Sequence, residues 1–282
     1  MTLLFRTRRL SLFLVVLFSF CSFASDLKYQ TVVRSVVEAR LRAVSSDNTE
    51  RELTLKKMFA EVGCSHLSEQ KVAHVAQPNL ICLLPGQTDS TIIVGAHFDH
   101  VEKGEGVVDN WSGASLLPSL FQGLESQPLQ HTYIFIAFAG EEKGELGSAA
   151  YVDKMTREDV ARTAGMVNMD TLGLAPTEVW LSRADHRMAA ALYALAAKIH
   201  LPVSAVNVDN VGSSDSEQFA RKKIPRITIH SVTQKTWPIL HSTRDRLDAV
   251  QLDDYYNSYR LLQAYVVLLD QVLVPVPQSA GH

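Results

Sequence analysis

Short apolar runs rich in β-branched and aromatic residues recur along the chain and alternate with segments of helical periodicity. A helix-length segment between consecutive strands favours a sheet covered by helices on both faces, and central strands that are apolar throughout are typical of such sheets. We therefore predict an α/β fold, a three-layer α/β/α sandwich around a mixed, mostly parallel sheet. The predicted strands are NLICLLP, TIIVGAH, YIFIAFA, GMVNMD, EVWLS, VSAVNV and RITIHSV.

Helical periodicity predicts helices in seven further segments. Asp47 and Asn48 are candidate capping residues for the second of them. The segments are LKYQTVVRSVVEARLRAV, TERELTLKKMFAEVG, GASLLPSLFQGLE, SAAYVDKM, DHRMAAALYALAAKIH, DSEQFARKK and DDYYNSYRLLQAYVVLLDQVL. No internal repeat or linker separates these elements, so we predict a single catalytic domain over residues 25–282.

The first 24 residues have the pattern of a secretory signal peptide, with basic RTRRL, apolar SLFLVVLFSF and small residues before a cleavage point after Ala24. The alternative is an uncleaved anchor, but the apolar stretch Leu10 to Phe23 is shorter than the roughly 20 residues of a spanning helix. We therefore expect an exported protein, periplasmic or secreted, without stable membrane association after cleavage.

After removal of this segment, 24 basic residues face 30 acidic ones, a net charge of −6. No basic patch interleaved with aromatic residues is present, which argues against a nucleic-acid partner. Two cysteines remain, Cys64 and Cys82, in a region that resembles two strands joined by a turn. In an oxidising compartment this pair predicts a disulfide.

Acidic residues and a histidine follow three of the predicted strands at the point where each ends. His97 and Asp99 follow TIIVGA, Glu141 and Glu142 follow YIFIAFAG, and Asp170 ends GMVNMD. Open α/β sheets bind ligands beyond the carboxyl ends of their strands, so we expect these side chains to converge. Two adjacent carboxylates after a buried strand also require a compensating cation or proton.

A set of two imidazoles and three carboxylates suits a pair of divalent cations, with zinc as the first choice and one carboxylate able to bridge. Glu141 is then available as general base. His230 is the alternative to His241. The candidate ligands are His97, Asp109, Glu142, Asp170 and His241.

Five motifs in order, GAHFDH, VVDNWSGA, AFAGEEKGELGS, VNMD and LHSTRD, resemble the secreted bacterial di-zinc aminopeptidases. Their superfamily also contains glutamate carboxypeptidase and glutaminyl cyclase, and the resemblance covers roughly residues 91 to 250. It implies two zinc ions bridged by Asp109 and a cis peptide bond between Asp109 and Asn110. His97 and Asp170 would hold one ion, and Glu142 and His241 the other.

The resemblance also implies supporting acids: Asp99 would orient His97, and Asp245 would support His241. Three positions depart from the family pattern. Ser216 replaces a histidine, which leaves a pocket role only for Asp215, and Leu240 replaces a tyrosine that stabilises the tetrahedral intermediate in some relatives. Trp111 is bulkier than expected, and we predict that it narrows the pocket.

The implied activity is hydrolysis of the N-terminal peptide bond of peptides. A carboxypeptidase of the same chemistry would need a basic residue for the terminal carboxylate, with Arg183, Arg226 and Arg244 as candidates. A glutaminyl cyclase would use a single zinc ion, which the presence of His97 disfavours. A non-catalytic binding domain on the same scaffold would have lost ligands, whereas all of them are present here.

Overall fold

The computed structural model describes residues 27–210 and 212–275, and the predicted signal peptide lies outside this part of the chain. Its strands form one sheet in the order β1-β2-β4-β3-β5-β8-β6-β7. The central strands β4, β3, β5 and β8 are mutually parallel, whereas β1, β2 and β6 pair antiparallel to their neighbours on one side or both. The strands are β1 Leu67–Gln70, β2 Asn79–Leu84, β3 Thr91–His97, β4 Thr132–Phe138, β5 Thr163–Met169, β6 Thr177–Val179, β7 Val203–Ala205 and β8 Arg226–His230.

Helices cover both faces of this sheet. Alternate residues of β3 enter two separate cores: Ile92, Val94 and Ala96 pack with the helices of one face, and Ile93 packs with those of the other. The predicted three-layer sandwich around a mixed sheet is therefore confirmed. The helices are α1 Arg34–Arg42, α2 Asn48–Glu61, α3 Ser112–Ala114, α4 Leu117–Leu124, α5 Leu146–Lys154, α6 Arg157–Arg162, α7 His186–Ile199, α8 Ser216–Arg221 and α9 Leu252–Val272.

The helices differ from the sequence prediction in three places, one of which is the predicted segment GASLLPSLFQGLE, divided in the structure into α3 and α4. Helix α1 covers only the second half of the predicted segment, because residues 27–33 are not helical. Helix α6 was not predicted, since six residues carry too little periodicity to be recognised. Its local signal is a capping box, in which Thr156 and Asp159 each accept a hydrogen bond from the other's backbone amide.

Helix α2 is tied to the sheet by a disulfide between Cys64, just after the helix, and Cys82 on β2. Strands β1 and β2 form the predicted antiparallel pair, with Leu67 opposite Cys82. Asp47 caps the other end of α2 by accepting hydrogen bonds from the amides of Thr49 and Glu50. Within the residues that the structure describes, no helix combines the length and the apolar character needed to cross a bilayer.

Removal of the disulfide should lower the free energy of unfolding, because the bond closes a loop between residues 18 apart and restricts the unfolded chain. For a loop of this size the loss is about 3 kcal/mol. The double variant Cys64→Ala, Cys82→Ala should therefore unfold at lower urea concentration than the oxidised protein. The reduced wild type, as control, should match the variant, and equal midpoints for variant and oxidised protein would contradict a stabilising role.

Candidate metal centre

His97 is the last residue of β3 and is almost completely buried. It lies among four carboxylates that, together with His97 and His241, are called the acidic cluster here: Asp109, Glu141, Glu142 and Asp170. Its Nε2 is 3.3 Å from Asp109 Oδ1, 3.6 Å from Asp170 Oδ1 and 3.8 Å from Glu141 Oε2. Its Nδ1 lies 3.2 Å from the backbone oxygen of Asp99, to which it donates. That bond leaves the Nε2 lone pair directed toward the carboxylates, as a metal ligand requires.

Asp109 lies between two histidines. While its Oδ1 faces His97, its Oδ2 is 3.2 Å from Nε2 of His241, which is also 3.0 Å from Glu142 Oε2. Each imidazole therefore has its own carboxylate neighbours, and Asp109 is common to both. This arrangement is the one expected of a bridging aspartate. The peptide bond between Asp109 and Asn110 is cis, as the resemblance implies.

His241, and not His230, is the second histidine of the cluster. His241 reaches it from a loop with a φ of 51°, and its side chain remains 55% exposed at the mouth of the site. His230 uses both ring nitrogens elsewhere: Nε2 donates to the Val206 carbonyl at 2.9 Å, and Nδ1 accepts from the Val232 amide at 3.0 Å.

The two adjacent glutamates occupy a tight turn that follows β4. Gly140 (φ 77°) and Gly144 (φ 95°) flank this turn, and both positions need the left-handed conformation that glycine adopts at little cost. Asp99 holds the turn from below, since its carboxylate accepts from the amides of Glu141 at 3.1 Å and Glu142 at 3.3 Å. Asp99 therefore positions the glutamate pair through its carboxylate. It positions His97 through its backbone oxygen and not, as predicted, through its acid group.

Asp245 supports a different residue from the one predicted. We predict from the resemblance that it supports His241, but its two carboxylate oxygens accept from the amides of Val108 at 2.7 Å and Asp109 at 3.1 Å. Asp245 therefore holds the backbone of the central aspartate. Burial raises its pKa to about 6, against the hydrogen bonds from these amides.

Crowding of like charges alters the protonation of the cluster. Burial raises the pKa of Glu141 well above its usual value, as do the nearby carboxylates of Asp215 and Asp170. The hydrogen bonds to Asp109 and Glu142 raise the pKa of His241 to about 10. Burial opposes protonation of His97, but its carboxylate neighbours, Glu141 first, raise its pKa well above the usual value. The acidic groups thus attract positive charge to the imidazole nitrogens.

The donor set fits divalent cations. His97, Glu141 and Asp170 offer ligand atoms that all lie within 4.8 Å of one another, and so do His97, Asp109 and Glu142. Glu142 Oε1 is buried and has no hydrogen-bond partner among the described residues, as expected of an atom that binds a cation. Carboxylate oxygens and imidazole nitrogens at this spacing suit zinc and related ions.

The cluster forms the floor of a cavity of about 230 Å³. One wall of this cavity is apolar and includes Trp180, Val208, Val232, Trp237 and Leu240. Leu240 thus occupies the pocket without offering a hydrogen-bond donor from its side chain.

Asp209 holds part of the cavity wall in place. Its carboxylate accepts from Trp180 Nε1 at 3.2 Å, from the Ser182 hydroxyl at 2.9 Å and from Arg183 Nε at 3.0 Å. These bonds fasten the loop that carries Val208 to the turn after β6.

Two other predicted pocket residues lie behind the cavity and not in its wall. Trp111 is completely buried and its Nε1 donates to the Arg40 carbonyl at 3.1 Å, so the prediction that it narrows the pocket is wrong. Asp215 is also completely buried. Burial raises its pKa to about 7, and the carboxylate of Asp170 adds to this effect.

Sequence reasoning also missed Arg51 of α2, a completely buried arginine next to the loop between His97 and Asp109. Its signal in the sequence is the spacing to Leu55, Met58 and Phe59, which places it on the buried face of α2. Its role depends on contacts with residues about fifty positions away.

Comparison with known proteins agrees with this geometry. Over 125 residues the chain is 32% identical to Aminopeptidase YwaD of Bacillus subtilis (strain 168), a match covering 44% of this chain and 25% of that protein. It also resembles the crystal structure of BSAP, a zinc aminopeptidase from Bacillus subtilis, with a TM-score of 0.62 and 26% identity over 67% of this chain and 49% of that one. The chain thus spans between a quarter and half of the length of these relatives.

The fold extends to another enzyme class. The crystal structure of an Acidobacteriales bacterium glutaminyl cyclase matches with a TM-score of 0.69 and 16% identity, over 84% of this chain and 93% of that one. At this identity the likeness concerns the fold alone. Residues 79–266 match Peptidase family M28, and this range takes in more than half of the chain and every residue of the acidic cluster, so the chain belongs to peptidase family M28.

Proposed function

We propose that this chain is an exported metallo-exopeptidase that hydrolyses the N-terminal peptide bond of peptides and uses two zinc ions. His97 and Asp170 would hold one ion, Glu142 and His241 the other, with Asp109 shared between them. The contacts of Asp109 with both histidines support two ions, because a single-ion site has no need for a carboxylate with an imidazole on each oxygen.

The lack of a basic side chain in the described part of the cavity carries the choice of an aminopeptidase. Among the described residues that line it, four are carboxylates and none is lysine or arginine. Two divalent cations would neutralise the carboxylates that bind them, so the missing lysine or arginine is what disfavours a substrate held by its terminal carboxylate. The four carboxylates are Asp109, Glu141, Glu142 and Asp170.

The arginines that a carboxypeptidase could use are engaged elsewhere. Arg183 stacks on Trp180 and binds Asp209, and Arg226 pairs with Glu217 at 3.2 Å. Arg244 donates to the Pro238 carbonyl. None of the three arginines lines the described part of the cavity, which disfavours the carboxypeptidase alternative.

Glu141 has the position of a general base. When bound, the divalent cations supply a Lewis acid and make a water molecule more acidic. Glu141 lies 3.8 Å from His97 Nε2 and is the carboxylate of the cluster not assigned to an ion, so it can accept a proton from water and release it to the leaving amine. The hydrogen bonds that the amides of Glu141 and Glu142 donate to the Asp99 carboxylate hold the backbone of Glu141 in this position.

Export is supported by the disulfide between Cys64 and Cys82, because such bonds persist in oxidising compartments. The N-terminal pattern of residues 1–24 points the same way.

Glutaminyl cyclisation is the alternative that the fold likeness to a glutaminyl cyclase favours. It needs one zinc ion and would leave His97 without a ligand role. The central position of His97, with three carboxylates around its Nε2, argues for hydrolysis.

The choice of terminus can be tested with blocked peptides. Peptides with a free amino terminus and an amidated carboxyl terminus should be hydrolysed, while the same sequences with an acetylated amino terminus and a free carboxyl terminus should not. The reason is that the proposed reaction removes a residue whose amino group is free, and no lysine or arginine among the described lining residues offers a partner to a terminal carboxylate. Release of the last residue from acetylated peptides would point to a carboxypeptidase, and cyclisation of an N-terminal glutamine without hydrolysis would point to a cyclase.

Glu141→Gln should retain zinc but lose at least about a hundredfold in kcat, because glutamine cannot accept the proton of the attacking water. Zinc content by elemental analysis and kcat on an aminoacyl chromogenic substrate test both parts. The exposed glutamate of α6 gives a control, since Glu158→Gln should leave both values unchanged. Normal turnover of Glu141→Gln would assign the base elsewhere.

Asp109→Ala should lose zinc together with activity, since it removes the carboxylate common to both histidines. The measurement is zinc stoichiometry after dialysis. Stability should be compared with zinc-stripped wild type, so that loss of metal is not mistaken for misfolding. An unchanged stoichiometry in a folded variant would show that Asp109 does not bridge.

A further inference from the structure

Arg51 of α2 bridges the two ends of the loop that separates two predicted metal ligands. Its Nη1 donates to the Phe98 carbonyl at 2.8 Å, and Phe98 directly follows His97. Its Nη2 donates to the Glu105 carbonyl and, at 2.9 Å, to that of Gly106, three residues before Asp109. One side chain thus holds the start and the end of the segment 98–106.

The guanidinium is completely buried and bonds to backbone carbonyls instead of carboxylates. Its Nε donates to the Ser45 carbonyl at 2.6 Å, and the group stacks on Trp111 with its central carbon 5.6 Å from the ring centre. In the described part of the chain, no carboxylate oxygen within 4 Å pairs with it. A fork of N–H groups with fixed geometry, not an ion pair, therefore determines its position.

The fit around this fork is tight. Gly106 has a φ of 56°, and a Cβ there would approach Arg51 Nη2 to 2.8 Å and His100 Cβ to 2.3 Å. The Gly106 carbonyl also accepts from the Trp111 amide at 3.1 Å. Gly106 therefore lies at the start of the segment 107–111, which carries Asp109. A shift of the guanidinium would therefore be transmitted to the backbone on both sides of that segment.

Arg51 also places a positive charge behind the acidic cluster. Burial lowers its pKa to about 10, against the attraction of Asp245, Asp99 and Asp109, so it remains protonated at neutral pH. Because α2 precedes residues 79–266, this contribution comes from outside the part of the chain that matches the peptidase family.

We propose that Arg51 is a positioning residue for the metal centre: its guanidinium fork sets the separation of His97 and Asp109 and thereby the affinity for zinc. The proposal rests on the proposed function, since it assumes that these two residues bind the ion. Arg51 does not line the cavity, so it acts on the ligands and not on the substrate.

The test compares Arg51→Lys with wild type. Lysine keeps the charge, but its single ammonium group cannot replace the hydrogen bonds that the fork donates to four carbonyls, those of Ser45, Phe98, Glu105 and Gly106. Zinc affinity, measured by chelator competition on the full chain, should fall about 10–100-fold, the range typical of residues that position ligands. Hydrogen exchange in the zinc-loaded variant should be faster over residues 98–111, and KM at saturating zinc should be unchanged.

Arg40 supplies a matched control. It is also a buried arginine on a neighbouring helix, but its guanidinium binds Ser119 at 2.8 Å and Gln122 at 2.9 Å instead of the loop. Arg40→Lys should retain zinc affinity and the exchange pattern of residues 98–111. An equal loss of zinc affinity in both variants would show a general effect of buried arginines and overturn the proposal.

The remaining outcomes also decide. Wild-type zinc affinity and exchange in Arg51→Lys would overturn the proposal. A second variant, Arg51→Met, removes the charge as well as the fork. If zinc affinity fell in Arg51→Met but not in Arg51→Lys, the charge of Arg51 and not its fork would matter, and the proposal would be overturned. If Arg51→Met does not fold, Arg51→Lys carries the test by itself. Failure of the wild type to bind zinc would instead contradict the proposed function, which keeps the two conclusions separate.

Discussion

Repulsion among four carboxylates in one small space is the constraint on which the site depends. Asp109, Glu141, Glu142 and Asp170 converge at one end of the sheet, where burial makes each charge costly. Burial, together with that crowding, raises the pKa of Glu141, and the same carboxylates raise the pKa values of His97 and His241. Divalent cations would reduce the repulsion among the carboxylates more than protonation does. The site therefore favours the binding of positive charge, which zinc ions can supply.

Neighbouring side chains hold the carboxylates together by hydrogen bonds to the main chain that carries them. Asp99 binds the amides of the glutamate turn, and Asp245 binds the amides of Val108 and Asp109. Arg51 binds carbonyls of the intervening loop. Hydrogen bonds from amides to carboxylates, and from a guanidinium to carbonyls, fix the main chain that carries the candidate ligands.

Strand ends account for most of what could be predicted about the fold and the site. The alternation of apolar runs and helical segments predicts the sandwich, and parallel strands bring His97, Glu142 and Asp170 to one edge whatever their exact register. Short elements escaped prediction: α6 is too brief for its periodicity to stand out, and α1 begins later than its apolar pattern suggests. Local patterns predict element type better than element length because packing decides where a helix starts and ends.

The sequence by itself determined the fold class, the residues that gather at the carboxyl ends of the strands and, through the motif resemblance, the prediction that they hold metal ions. Only the tertiary structure decided which supporting group serves which ligand. Asp245 holds Asp109 and not His241, Trp111 packs behind the pocket, and Arg51 clasps a loop far from it in sequence. Periodicity reflects which face a residue presents to its own element. Hydrogen bonds between distant segments depend on how those elements pack against one another.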